Sequence, residues 1–159
     1  MKAFISYTRE KDQFDVVSNL HSRLSNELSL LDPDGEIFRD RQGLLPGDDF
    51  RKKIEQELLS ADVLVVLLSP AWLASDWCRW EYSQFTSKEK AAGRGRNSRV
   101  LPLLWVKTDA REGDALSEEV CALNSDNWTS LRHEPMSNSE VSARCASIAE
   151  RLKDLASHE

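Results

Sequence analysis

The run Val63-Leu64-Val65-Val66-Leu67-Leu68 constrains the fold of this chain more than any other segment. Six consecutive aliphatic residues read as a strand covered on both faces, as parallel strands are when helices pack on each side. Around it, short apolar runs alternate with helix-spaced ones. Ala3–Tyr7 reads as a first strand, and Phe14, Val17, Leu20, Leu24, Leu28 and Leu31 step by three and four along one helix face. Glu36–Phe38 is a short second strand. A loop over 39–47 follows, holding Gly43, Pro46 and Gly47, and Asp48 or Asp49 suits the cap of a helix that buries Phe50, Ile54 and Leu58. The segment 70–91 is helical, in two pieces if Ser75 caps a second start. Val100–Val106 predicts a fourth strand, whose Pro102 lacks an amide hydrogen and suits a place near an edge or a late start. Asp114–Leu123 is a short helix, Asn127–Leu131 a fifth strand, and a closing helix buries Val141, Cys145, Ile148, Leu152 and Leu155. Strands alternating with helices predict an α/β domain built on a five-stranded parallel sheet with helices on both faces.

Length and charge narrow the function. At 159 residues the chain suits one domain with a real core, either a stand-alone subunit or part of a larger protein. Its net charge of −6 argues against a general nucleic-acid binder. No apolar run approaches the roughly 20 residues that cross a membrane, and the N-terminus is polar too soon for a signal peptide. Cys78, Cys121 and Cys145 are an odd number without metal-like spacing, which suits reduced thiols in a cytoplasmic protein. The three histidines are scattered, so no metal site is expected. Asn127-Trp128-Thr129 matches a glycosylation sequon by chance in such a setting. The basic run Arg94-Gly95-Arg96-Asn97-Ser98-Arg99 reads as a solvated loop, with a docking patch for an acidic partner as the functional alternative.

One residue breaks the pattern. Ser69-Pro70 is a helix start, a hydroxyl cap followed by proline. If 77–85 is helical, steps of about 100° place Trp77, Cys78, Glu81, Tyr82 and Phe85 on one arc. Glu81 then lies within the apolar stripe. A carboxylate there departs from binary patterning, and such departures concentrate at functional or strained sites.

Three segments carry a family resemblance: Phe4-Ile5-Ser6-Tyr7; Phe38-Arg39-Asp40-Arg41 with Leu45-Pro46-Gly47; and Ser69-Pro70-Ala71-Trp72-Leu73-Ala74-Ser75-Asp76-Trp77-Cys78-Arg79-Trp80-Glu81. Their order and strand-loop-helix placement resemble a Toll/interleukin-1 receptor (TIR) domain over nearly the whole chain, in the enzymatic, bacterial-type branch. The resemblance implies a flavodoxin-like three-layer fold with strand order 2-1-3-4-5. In such sheets ligands bind beyond the carboxyl ends of the strands, where the winding reverses. The loops leaving the first three strands meet there, so Arg9, the 39–47 loop and the Trp77/Glu81 face converge on one cleft.

The resemblance also implies chemistry. Enzymatic TIR domains cleave NAD+, their substrate rather than a bound cofactor, between nicotinamide and ribose. Nicotinamide leaves neutral from a cationic ring, so no general acid is required. The site must hold the ribose and oppose positive charge on it. Glu81 is the expected catalytic carboxylate. Trp77 would wall the site or stack on a ring. Phe4, Ser6 and Arg9 would shape the nicotinamide side, with Arg9 alternatively on phosphate, and Arg39 and Asp40 would fix the 39–47 loop. Asp40 also reads as purely structural. Trp72, Trp80, Trp105 and Trp128 read as core or interface. The implied partners are NAD+, other TIR domains through Gly43, Leu44, Leu45, Pro46 and Gly47, and a linked or associated sensor module in antiphage defence. A non-enzymatic scaffold, signalling by self-association alone, is the rival reading. A phospho-receiver shares the sheet order but needs acidic residues where Thr8-Arg9 and Ser69-Pro70 stand. The nucleoside deoxyribosyltransferase fold, which also sets a glutamate near a sugar, matches the motifs less well.

Overall fold

The computed structural model describes residues 1–9, 14–39 and 47–157. Its elements alternate as expected. They are β1 (Lys2–Ser6), α1 (Phe14–Leu31), β2 (Glu36–Arg39), α2 (Gly47–Ser60), β3 (Val63–Leu68), α3 (Pro70–Ala74), α4 (Asp76–Ala91), β4 (Val100–Leu104), α5 (Ala115–Cys121), β5 (Asp126–Asn127) and α6 (Ser139–Ser157). The five strands form one sheet in the order β2-β1-β3-β4-β5, and every pairing is parallel. Winding leaves β1 in one direction for β2 and the other for β3, so the switch point lies between β1 and β3.

Strand alternation divides the core in two. Ile5, Ile37, Val63, Val65, Leu101 and Leu103 face α1 and α6, where Leu20, Leu24, Leu28 and Cys145 meet them. Phe4, Leu64, Val66, Leu68 and Val100 face the other way, against Ile54 and Leu58 of α2, Trp72 of α3, and Tyr82 and Phe85 of α4. β3 is buried at all six positions, the consequence of helices on both its faces.

The caps explain where the helices begin. The Ser69 side chain accepts from the Trp72 amide with Pro70 at the first helical position, and Ser75 accepts from the Cys78 amide, splitting 70–91 into α3 and α4. α2 opens at Gly47, so Asp48 and Asp49 lie in its first turn rather than at its cap. Pro102 is tolerated for a geometric reason. The Arg99 carbonyl accepts from Leu64 and the Trp105 amide donates to Leu68, so odd residues of β4 bond to β3 and even ones face β5. β5 pairs only with Leu103 and Leu104, so it does not reach the place where Pro102 lacks a donor.

β5 departs from expectation. It spans two residues, not 127–131. After the Trp128 amide donates to Leu104, the chain turns, with Leu131 and Arg132 amides donating back to the Trp128 carbonyl. Trp128 enters the core to stack on Trp105, centroids 6.1 Å apart. Burial of the indole ended the strand.

Candidate active site

β1 ends at the switch point with Ser6, whose side chain falls on the α2–α4 side of the sheet by alternation from Phe4. Two distant residues meet it there. Ser6 Oγ donates to Glu81 Oε1 at 2.9 Å. The same Oγ accepts from Trp72 Nε1 at 3.0 Å. All three are buried, Glu81 at 1 % exposure. The carboxylate sought from sequence is therefore held at the end of a relay: indole N–H to hydroxyl, hydroxyl to carboxylate. A buried carboxylate with fixed donors is oriented before any ligand arrives.

Outside this relay lies an open cavity of about 500 Å³, lined by Tyr7, Thr8 and Arg9 after β1, Phe50 of α2, Ala71 and Ala74 of α3, and Ser75, Trp77 and Cys78 at the start of α4. Its place beyond the carboxyl ends of β1 and β3 is the one the winding dictates. Phe50 and Trp77 stack at 5.7 Å and 22°. The Arg9 guanidinium lies over both rings, 5.2 Å from the Phe50 centroid and 5.6 Å from that of Trp77. Trp77 also meets Trp80 at 4.8 Å, and Arg51 covers Trp80 from the outside at 4.7 Å. Glu81 follows Trp77 and Cys78 by one turn of α4 and is buried.

The base of α4 is clamped. Both terminal nitrogens of Arg79 donate to Asp114 at 2.9 Å, and Nη1 also donates to the Leu73 carbonyl. That pair holds the Asp114 carboxyl below its usual range, and Asp114 caps α5 as well. Tyr82 donates to Glu119 of α5 at 2.8 Å; burial first, then Glu119, raises its phenol.

The sequence-predicted residues divide into three groups. Glu81 and Ser6 meet in the relay, and Arg9 and Trp77 meet on the cavity. Phe4 does not reach the cavity: it is fully buried in the core, its ring 5.3 Å from Phe38. Arg39 lies opposite Ile5 in register and shares its sheet face, where Nη1 donates to Ser18 of α1 at 2.6 Å. It anchors the end of β2 on the far side of the sheet from Glu81. Asp40, Gly43, Leu44, Leu45 and Pro46 lie outside the described residues, and Gly47 begins α2.

Three features were missed. Trp72 reads as core by composition, but its N–H reaches Ser6 across 66 residues of chain, a contact no local signal gives. Phe50 reads as inner face yet sits on the cavity. The 94–99 run faces solvent over most of its length, but its arginines are engaged: Arg94 grips Glu89 at 2.7 Å, Arg96 pairs with Glu119 at 3.0 Å, and Arg99 is buried beside Glu89. Among the described residues, no group of acidic, His and Cys side chains is arranged to hold a metal, and no helix is long and apolar enough to cross a membrane.

Comparison with known proteins bears on the family and the fold. The chain is 31% identical over 104 residues to the 2′ cyclic ADP-D-ribose synthase BtTIR of Bacteroides thetaiotaomicron, covering 65% of this chain and 32% of that protein. It thus spans about a third of that relative's length. Its fold is similar to a prokaryotic SEFIR domain (TM-score 0.53, 16% identity, covering 95% of this chain and 96% of the other). It is also similar to the TIR domains of the activated Roq1 resistosome directly recognizing the effector XopQ (TM-score 0.50, 17% identity, covering 99% and 84%). The family described as TIR domain matches residues 3–144, and the chain belongs to it.

Proposed function

We propose that this TIR domain is an NAD+ glycohydrolase whose catalytic carboxylate is Glu81. The observation that carries the reading is the Ser6-held Glu81 behind a cavity walled by Trp77, Phe50 and Arg9 at the switch point. A bacterial relative named for making a cyclic ADP-ribose supports the substrate class. In the reaction the bond between ribose C1′ and the ring nitrogen breaks, and its electron pair leaves with nicotinamide. Positive charge passes from the ring to the sugar, where a fixed carboxylate stabilises it. Water then adds at C1′ and loses a proton, giving ADP-ribose; attack by a hydroxyl of the substrate itself gives a cyclic product.

The reading has activity depend on association, with the 39–47 loop of one copy completing the cleft of the next. Turnover per molecule should rise steeply with concentration or enforced clustering; a rate that stays flat across that range sinks the clustering requirement. The deciding measurement is NAD+ consumption by clustered wild type and Glu81→Gln, with products resolved by chromatography. Turnover lost in a folded Glu81→Gln protein supports the enzyme, and equal turnover ends the assignment. Absence of turnover in both, with clustering verified, favours a scaffold that signals by association alone.

A further inference from the structure

Different neighbours hold different sides of α4. Glu81 meets Ser6 of β1 on one side. On another, Arg79 and Tyr82, one helical turn apart, both reach toward α5. Arg79 donates to Asp114 with both terminal nitrogens at 2.9 Å, and Tyr82 donates to Glu119 at 2.8 Å. Each acceptor is itself held. The Asp114 carboxylate also takes the Ser117 amide as the cap of α5, and Glu119 takes Arg96 at 3.0 Å. Buried Ser117 and Val120 seat α5 in the fold.

Glu81 lies between the two anchors in sequence, so a slide or rotation of α4 that loosened them would carry its carboxylate away from Ser6. Arg79 Nη1 also donates to the Leu73 carbonyl at 3.2 Å, which ties the end of α3 to the same point. The Tyr82 ring meets Trp72 edge-on, and the Trp72 N–H donates to Ser6. Among the described residues that line the cavity, none belongs to α5. We propose that α5 braces α4, with Asp114 and Glu119 as positioning residues that hold Glu81 in place through Arg79 and Tyr82. The proposal rests on the reading of Glu81 as the catalytic carboxylate and deepens it.

Asp114→Asn separates bracing from folding, because asparagine caps a helix as well as aspartate does but cannot form the charged fork with Arg79. Tyr82→Phe keeps the ring against Trp72 and removes the O–H to Glu119. The variants are compared with wild type by NAD+ kinetics on clustered protein and by hydrogen–deuterium exchange of residues 76–82, with folding checked by circular dichroism. Each folded variant should lower kcat by about threefold to thirtyfold at unchanged KM, the range for disturbing a network behind a reacting group. Exchange over 76–82 should quicken in both. Arg79→Gln should lower kcat as well, and Asp114→Asn added to it should lower kcat no further. A kcat equal to wild type in both variants, a raised KM at unchanged kcat, losses that add to that of Arg79→Gln, or unaltered exchange overturns the proposal. Turnover that is lost in Glu81→Gln and kept in the other variants removes the brace and leaves Glu81 standing. Quickened exchange in a protein that turns over no NAD+ retains the brace and removes the enzyme.

Discussion

Glu81 and Glu89 lie on the same side of α4, eight residues apart, and both are buried. Glu89 is surrounded by cations: Arg94 donates to it with two nitrogens at 3.1 and 2.7 Å, Lys88 stands at 3.2 Å and Arg99 at 3.9 Å. Glu81 accepts from a hydroxyl that is itself backed by an indole N–H. Neutral donors fix a carboxylate's direction without cancelling its charge, whereas guanidinium and ammonium groups do both. One helix therefore carries a carboxylate neutralised to join the start of β4 to α4, and another presented at the sheet's switch point.

Exchanging the two defects is the strongest way to break this comparison. Glu81→Gln should lower NAD+ turnover by about a hundredfold or more, the scale of losing a fixed charge-stabilising group. Its unfolding free energy from urea denaturation should change by less than about 1 kcal/mol, since the amide oxygen can still accept from Ser6. Glu89→Gln should do the reverse. It should destabilise by about 2–3 kcal/mol, below the full effect of breaking an enclosed pair because Arg94 reaches solvent. Turnover per folded molecule should be kept. If both variants lose activity only in proportion to unfolding, the two carboxylates are not distinct.

Acid sharpens the same contrast. Burial alone would raise the Glu89 carboxyl, but the Arg94 hydrogen bonds and the nearby Lys88 charge outweigh it and hold it below its ordinary value of 4.5. A group lowered in the folded state contributes stability above its unfolded value, and that contribution is lost as pH falls through the folded value. The wild-type urea midpoint should therefore decline below pH 4.5, and Glu89→Gln should flatten the decline. It should not abolish it, because Asp32, Glu57 and Asp114 are also held low. Identical slopes in the two proteins would show that Glu89 contributes nothing there.

Most of the fold was legible because its signals are local. The runs at 3–7 and 63–68, the Ser69-Pro70 start and the Ser75 cap each depend on a few adjacent residues. The end of β5 was not legible, since whether Trp128 continues a strand or turns inward depends on Trp105 across the sheet. In the site, Glu81 was visible as a charge in an apolar stripe. The same rule would have found Glu89, which continues the steps of four through Phe85, but Lys88 and Lys90 on either side give it the look of a solvated face. Trp72 and Phe50 gave no signal, because their composition suits the core and their second roles, an N–H on Ser6 and a face on the cavity, exist only in three dimensions. Strand alternation sends Arg39 to the α1 face, a parity fixed by the exact register of β2 against β1.

The relay behind Glu81 offers finer tests. Ser6→Ala removes a hydroxyl that serves two buried groups at once. It should destabilise by about 1–3 kcal/mol, the range for leaving buried polar partners short. Turnover should fall about tenfold, chiefly in kcat, because the carboxylate is misaligned rather than lost. A rise in KM with kcat unchanged would place Ser6 in substrate binding instead.

Trp72→Phe should have the smallest effect and is the most informative about mechanism. It keeps an aromatic ring against Tyr82, whose edge-on contact has a centroid separation of 5.9 Å, and deletes the N–H that donates to Ser6. The Ser6–Glu81 bond survives, so turnover should drop only about twofold to threefold and stability by about 1 kcal/mol for the lost hydrogen bond. If the indole acts through Ser6, the two substitutions cannot add: in a Ser6→Ala background, Trp72→Phe should lower turnover no further. Residues coupled in one network show such interaction terms, and independent ones do not. Additive losses in that double-mutant cycle would mean that Trp72 supports the site through packing alone, and the relay would shrink to a single bond between Ser6 and Glu81.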